Sequence, residues 1–191
     1  FTLANNDLAT TDGMNLGLTG IQTAHLTSGP KNAVFTVTNW TGTGSLGGGG
    51  GGDTVVATKD ANFTLTDNSL TTTDGMDLAM GGIHTADLRG GPGNNAFLVG
   101  GWTGGGFVSG GGGSDTLAAA KDANFSLTDN SLVTSDGMAL ALGGIQVAEL
   151  TGGSGGSTFV VNNWGGLALL DGVGGTNAYL VNLRGSGFGV T

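Results

Sequence analysis

Phe1, Phe63 and Phe125 recur at one fixed interval, and Trp40, Trp102 and Trp164 recur at the same interval, as do the Asp-Gly-Met triplets that begin at Asp12, Asp74 and Asp136. The chain therefore reads as three repeats, 1–62, 63–124 and 125–186, in one domain covering 1–191, with an end that leaves the pattern over 181–191. A unit this long in strict register is the sequence mark of an array, in which each unit buries its apolar face against the next.

Composition narrows the kind of array. There are 42 glycines in 191 residues, but glycine does not recur at every third position and there are only two prolines, so a collagen helix is excluded. Apolar residues make up 38% and recur in phase, which disordered chains do not show. With no cysteine, stability has to come from stacking and not from disulfides. Five basic against fourteen acidic residues give a net charge of −9, which argues against nucleic acid or an anionic membrane surface as partner and points to cations as the ionic ones. No apolar run reaches the length of a membrane span, so membrane insertion is not expected. A start at Phe1, with neither Met nor signal peptide, suggests a processed subunit or a segment of a longer array.

In the middle repeat the apolar residues form short alternating clusters and not helical stripes. Taking one anchor per cluster gives Leu65, Leu78, Leu88, Val99, Val108, Leu117 and then Leu127 of the next repeat, at successive steps of 13, 10, 11, 9, 9 and 10. Six strands per unit follow, each with one buried and one wet face. The Gly, Asn, Asp and Ser connections are too short for crossover helices, which points to an all-β parallel β-solenoid. An antiparallel meander is the rival, supported by the hairpin signal Asp74-Gly75. Six strands fit three two-sided coils of about 20 residues or two three-sided coils of about 31 residues. The turns 90–95 (GGPGNN) and 110–115 (GGGGSD) share one spacing and would stack on one edge of a two-sided coil, which favours the two-sided β-roll over the three-sided β-helix. Within 110–113 at least one glycine is expected at positive φ.

Residues 110–118 (GGGGSDTLA) and 48–56 (GGGGGDTVV) each fit the nonapeptide G-G-x-G-x-D-x-U-x, in which glycines turn tightly, aspartate offers a hard oxygen and the apolar residue enters the core. With 82–91 (GIHTADLRGG), this resembles the RTX-like, hemolysin-type calcium-binding β-roll repeats of large secreted bacterial surface proteins. The resemblance implies secretion, a right-handed parallel roll, and calcium as cofactor with Asp53 and Asp115 as its candidate ligands. Departures accompany it: Asn95, Ala33 and Ser157 occupy the aspartate position of the partner turn, and the third copy of the stronger turn is GVGGTN at 172–177.

Other residues read as structural. His25 stands where the other repeats have Asp87 and Glu149, and His84 where they have Gln22 and Gln146, so neither belongs to a recurring constellation and both are expected to face solvent. Asp12, Asp74 and Asp136 precede glycine and read as turn formers. Trp40, Trp102 and Trp164 would form a row along one edge, either packing the corners or presenting rings for glycan contact. With no nucleophile elbow or paired carboxylates in view, the expectation is a non-enzymatic, extracellular or cell-surface structural protein that self-associates into filaments. Its alternatives are a calcium-binding module and a glycan-binding module.

Overall fold

The computed structural model describes residues 1–182. These form 21 strands and no helix. The first seven are β1 (Thr2–Ala4), β2 (Asp7–Ala9), β3 (Asn15–Gly17), β4 (Thr23–Thr27), β5 (Val34–Thr38), β6 (Thr43–Gly47) and β7 (Asp53–Thr58). The next seven are β8 (Phe63–Thr66), β9 (Ser69–Thr72), β10 (Asp77–Gly81), β11 (Ile83–Arg89), β12 (Ala96–Gly101), β13 (Gly105–Ser109) and β14 (Thr116–Ala120). The last seven are β15 (Phe125–Thr128), β16 (Ser131–Thr134), β17 (Ala139–Gly143), β18 (Val147–Thr151), β19 (Thr158–Asn162), β20 (Leu167–Asp171) and β21 (Ala178–Asn182).

The strands lie in two sheets, not three. The first sheet has twelve, in the order β21-β19-β15-β16-β17-β13-β11-β7-β5-β1-β2-β3, and the second has nine, in the order β20-β18-β14-β12-β8-β9-β10-β6-β4. Most neighbours are parallel, and one plain coil separates Leu88 from its partner Val108 and Phe97 from its partner Leu117. The turns at 90–95 and 110–115 therefore do stack on one edge, because Ala96 pairs with Thr116 directly beyond them. The result is a two-sided, β-solenoid-like fold.

Seven strands per unit, where six were expected, is a correction with a definite cause. The longest anchor step, from Leu65 to Leu78, hides β9, which folds back antiparallel to both β8 and β10. The Asp74-Gly75 signal is the second turn of this meander: Gly75 N–H donates to the Thr72 carbonyl, with Gly75 at φ 104°. The same excursion is made by β1–β3 and β15–β17. The meander and the coil thus coexist, the three antiparallel strands being inserted between parallel ones.

Counting the meander as one visit, each seven-strand unit visits the sheets five times. Five is odd, so β1–β3 lie in the first sheet, β8–β10 in the second and β15–β17 in the first again. Equivalent residues of successive units consequently sit on opposite faces, and the pattern regains its orientation only after two units. The core between the sheets takes the inward residues of both, among them Leu65, Leu78, Val99, Val108 and Leu117, all buried. The opening phenylalanines stack on rings one coil away, Phe63 on Phe97 and Phe125 on Phe159 at 5.1 Å between centroids, and Phe159 stacks on Tyr179 at 5.2 Å. Such contacts favour one register of the coil over its alternatives.

Close approach of neighbouring coils sets the glycine positions. Gly106 has φ 151°, and a Cβ there would lie 1.9 Å from the Ala86 carbonyl oxygen. In the corner at 110–113 the positive φ values fall on Gly111 (93°) and Gly113 (86°), whereas Gly112 has none. The third copy of that corner holds Val173 at φ 52°, where a β-branched residue is strained. Gly106→Ala is expected to cost about 1–3 kcal/mol and Val173→Gly to gain about 1 kcal/mol. Urea midpoints check both; a Val173→Gly variant no more stable than the parent would contradict the strained corner.

Candidate functional site

The residues flagged for chemistry lie at the corners, where the chain crosses between sheets. Asp53 enters β7 from β6, crossing from the second sheet to the first; Asp115 enters β14 from β13, crossing the other way. They therefore sit on opposite edges. Each is fully buried. Asp53 Oδ1 accepts the Ala33 N–H at 2.7 Å, and Asp115 Oδ1 accepts the Asn95 N–H at 2.8 Å; Asn177 repeats the contact with the Ser157 N–H at 2.8 Å. Each side chain ties its corner to the corner one coil earlier. Asp115 N–H donates in turn to Gln146 Oε1 at 2.6 Å, extending the column into the next coil.

The other oxygen explains the leading glycine of the motif. A Cβ on Gly110 would lie 2.2 Å from both Asp115 Oδ2 and the Gly144 carbonyl oxygen, and one on Gly48 would lie 2.5 Å from both Asp53 Oδ2 and the Gly82 carbonyl oxygen. The carboxylate folds back over its own turn and fills the space a side chain would need. Position 28 fits the rule from the other side, since Ser is tolerated there where the residue five places on is Ala33.

Ca²⁺ takes six to eight oxygens. Here Oδ1 of each aspartate accepts a backbone N–H, and Oδ2 is buried without a hydrogen-bond partner. Opposite edges keep the two carboxylates from sharing an ion, and among the described residues no group of three or more Asp, Glu, His or Cys side chains could hold one. An ion at either corner would thus have a single carboxylate, Asp53 or Asp115, and would need backbone oxygens to complete its shell.

Trp40 and Trp102 are buried, which covers the rings that glycan stacking would need, and Trp164 is partly buried. Nor do they form one row. Trp40 and Trp164 follow strands of the first sheet and Trp102 follows one of the second, which places them on alternating edges. His25 and His84 face solvent, His25 Nδ1 lying 2.8 Å from Ser45 Oγ.

Two buried lysines escape a reading of the sequence. Lys59 Nζ donates to the Trp40 carbonyl and the Asp74 carboxylate, and Lys121 Nζ donates to the Trp102 carbonyl and the Asp136 carboxylate. Each lysine joins the close of one unit to the meander turn of the next, where Asp74 and Asp136 also accept from the Thr72 and Thr134 hydroxyls. The available signal is the recurrence of Lys59 as Lys121, one full unit on, in a chain with only five basic residues. Burial pushes both carboxyls up, but the lysine and threonine hydrogen bonds and the lysine charge outweigh it and hold Asp74 and Asp136 below the ordinary 3.8.

The remaining feature is the set of strands that end the two sheets. Strands β3 and β4 are the last of their sheets at one end and β21 and β20 at the other. Met14, Leu16 and Ile21 are 39–46% exposed at the first end, and Tyr179, Leu180 and Val181 are 49–53% exposed at the second. The end that leaves the repeat pattern over 181–191 lies, beyond Asn182, outside the described residues. Compared with protein-family models, curated protein sequences and solved structures, the chain matches none.

Two outcomes are expected. Asp115→Ala should cost about 1–3 kcal/mol by leaving the buried Asn95 N–H unpaired, Asp115→Asn should be tolerated as at Asn177, and the parent should melt alike in calcium and in chelator; a melting point that rises with calcium would overturn the clamp reading. Because the folded-state pKa values of Asp74 and Asp136 are lowered, their contribution is present above pH 3.8 and is lost as pH falls below it toward those values. The double variant Asp74→Asn, Asp136→Asn should be less stable at neutral pH and should show a shallower acid limb in a denaturation series.

Proposed function

We propose that this chain is a structural, extracellular β-solenoid that assembles head to tail, as a filament subunit or as a strut of a surface layer or adhesin stalk. The observation that carries the reading is that, among the described residues, β3, β4, β20 and β21 are the last strands of their sheets and carry exposed apolar side chains. Such edges recruit further strands unless something covers them. The proposal includes a right-handed winding of three repeats, 1–62, 63–124 and 125–186, of the RTX-like kind suggested by the glycine-aspartate corners. Secretion is part of that likeness, and the acidic surface suits neither nucleic acid nor an anionic membrane. No catalytic role is included, because the aspartates at the corners hold backbone donors in place of a substrate.

Analytical ultracentrifugation of the purified chain over a hundredfold range of concentration, with electron microscopy of the same samples, tests the reading. Rods that lengthen with concentration are expected. A monomer throughout the range would sink it.

A further inference from the structure

The two interior junctions show how one unit receives the next. Between the first and second units β6 pairs in parallel with β10 and β7 with β11; between the second and third β13 pairs with β17 and β14 with β18. In both, the sixth strand of one unit meets the third of the next, and the seventh meets the fourth. At the outer ends the same four positions are β20 and β21 on one side and β3 and β4 on the other, and all four are sheet edges among the described residues. Burial follows the same correspondence. Met76, Leu78 and Ile83 are 0–5% exposed at an interior junction, whereas their counterparts Met14, Leu16 and Ile21 are 39–46% exposed. Val55 and Ala57 are fully buried, whereas their counterparts Tyr179 and Val181 are 51% and 49% exposed.

We propose that the two ends are a matched pair and that their partner is a second copy of this chain, docked in the interior register. This rests on the head-to-tail reading above and specifies it. Strand β20 of one subunit pairs in parallel with β3 of the next, and β21 with β4. The interior pairs Ala79 with Ser45 and Ala141 with Phe107 place Gly17 opposite Leu169, while Asp87 with Val56 and Glu149 with Ala118 place His25 opposite Leu180. Side-chain sizes agree: the bulky Phe107 faces the small Ala141 inside, and the exposed Leu169 would face Gly17. Since β20 is in the second sheet and β3 in the first, each joint exchanges the sheets and turns the next subunit through half a revolution. With 21 strands shared by two sheets, the rise per subunit is about 50 Å at a strand spacing of about 4.8 Å.

Cysteine cross-linking of the full chain tests the register, because the parent has no cysteine. Gly17 is free for substitution, with open space where a Cβ would go. The double variant Gly17→Cys, Leu169→Cys, oxidised at a concentration where the parent forms rods, should give a covalent ladder of subunit multiples on a non-reducing gel. The off-register variant Gly17→Cys, Leu167→Cys should stay at background. His25→Cys, Leu180→Cys is an independent matched pair should either first variant lose its β-sheet circular dichroism. Rods with equal cross-linking of matched and off-register pairs would overturn the docking register while leaving head-to-tail assembly standing. Chains that neither form rods nor cross-link would overturn both.

Discussion

A strand in a parallel coil has one place to satisfy its backbone, which is the strand of the coil above or below, and everything else in this protein keeps those two strands at one height. The coil-to-coil ladder is set by sequence separation: a plain coil pairs position i with i+20, as Phe97 with Leu117, and a coil that carries a meander pairs i with i+34, as Phe63 with Phe97, or with i+31, as Val55 with Ala86. A slip by one position would turn every inward side chain outward. The corner clamps oppose that slip, because an Asp53, Asp115 or Asn177 side chain can reach only the N–H that lies directly across from it. The stacked phenylalanines and the lysine bridges act on the same ladder from inside.

This changes how the acidity of the chain is understood. A net charge of −9 suggests cations as partners, yet many of the carboxylates accept from the chain itself. Asp60 takes the Gly93 N–H, Asp67 the Thr103 N–H and Asp129 the Gly165 N–H, at 3.0, 2.7 and 2.7 Å. Glycine-rich corners leave backbone donors without regular partners, and buried donors must be paired. Short acidic and amide side chains are the simplest way to reach them in a tight turn. The motif that resembles a calcium repeat can therefore serve as a closing device for a corner, its aspartate bonded to the preceding coil and its first glycine making room.

The sheet content, the parallel coils, the stacking of the turns at 90–95 and 110–115 and most of the buried positions were legible in the sequence, because period-two clusters between glycine corners leave few alternatives. Strand β9 was not. Leu70 is its only fully buried residue, and a four-residue strand flanked by Asp67-Asn68 and Asp74-Gly75 looks like one long turn. The lysine bridges were hidden for another reason: a lysine reads as surface unless its partners are known, and Trp40, Lys59 and Asp74 are brought together only by the coil. Finally, a strict repeat period suggests that equivalent residues line up. Whether they do depends on the parity of the sheet visits, which turned on finding the meander.

That parity bears on function. A solenoid that binds an extended ligand presents like residues in a row, one per coil or one per repeat, on a single face. Here each unit begins on the opposite sheet from the one on which the preceding unit began, so Trp40 and Trp102, Asp53 and Asp115, or His25 and its counterpart Asp87 are shown to opposite sides. Like-facing copies recur only after two full units, where β1–β3 and β15–β17 share the first sheet. Fourteen strands then separate them, which at about 4.8 Å per layer and two sheets is about 34 Å along the axis. Such spacing is too sparse for ligands read residue by residue. It does place equivalent side chains alternately on the two faces, so that over a pair of units each sheet receives one copy of every position.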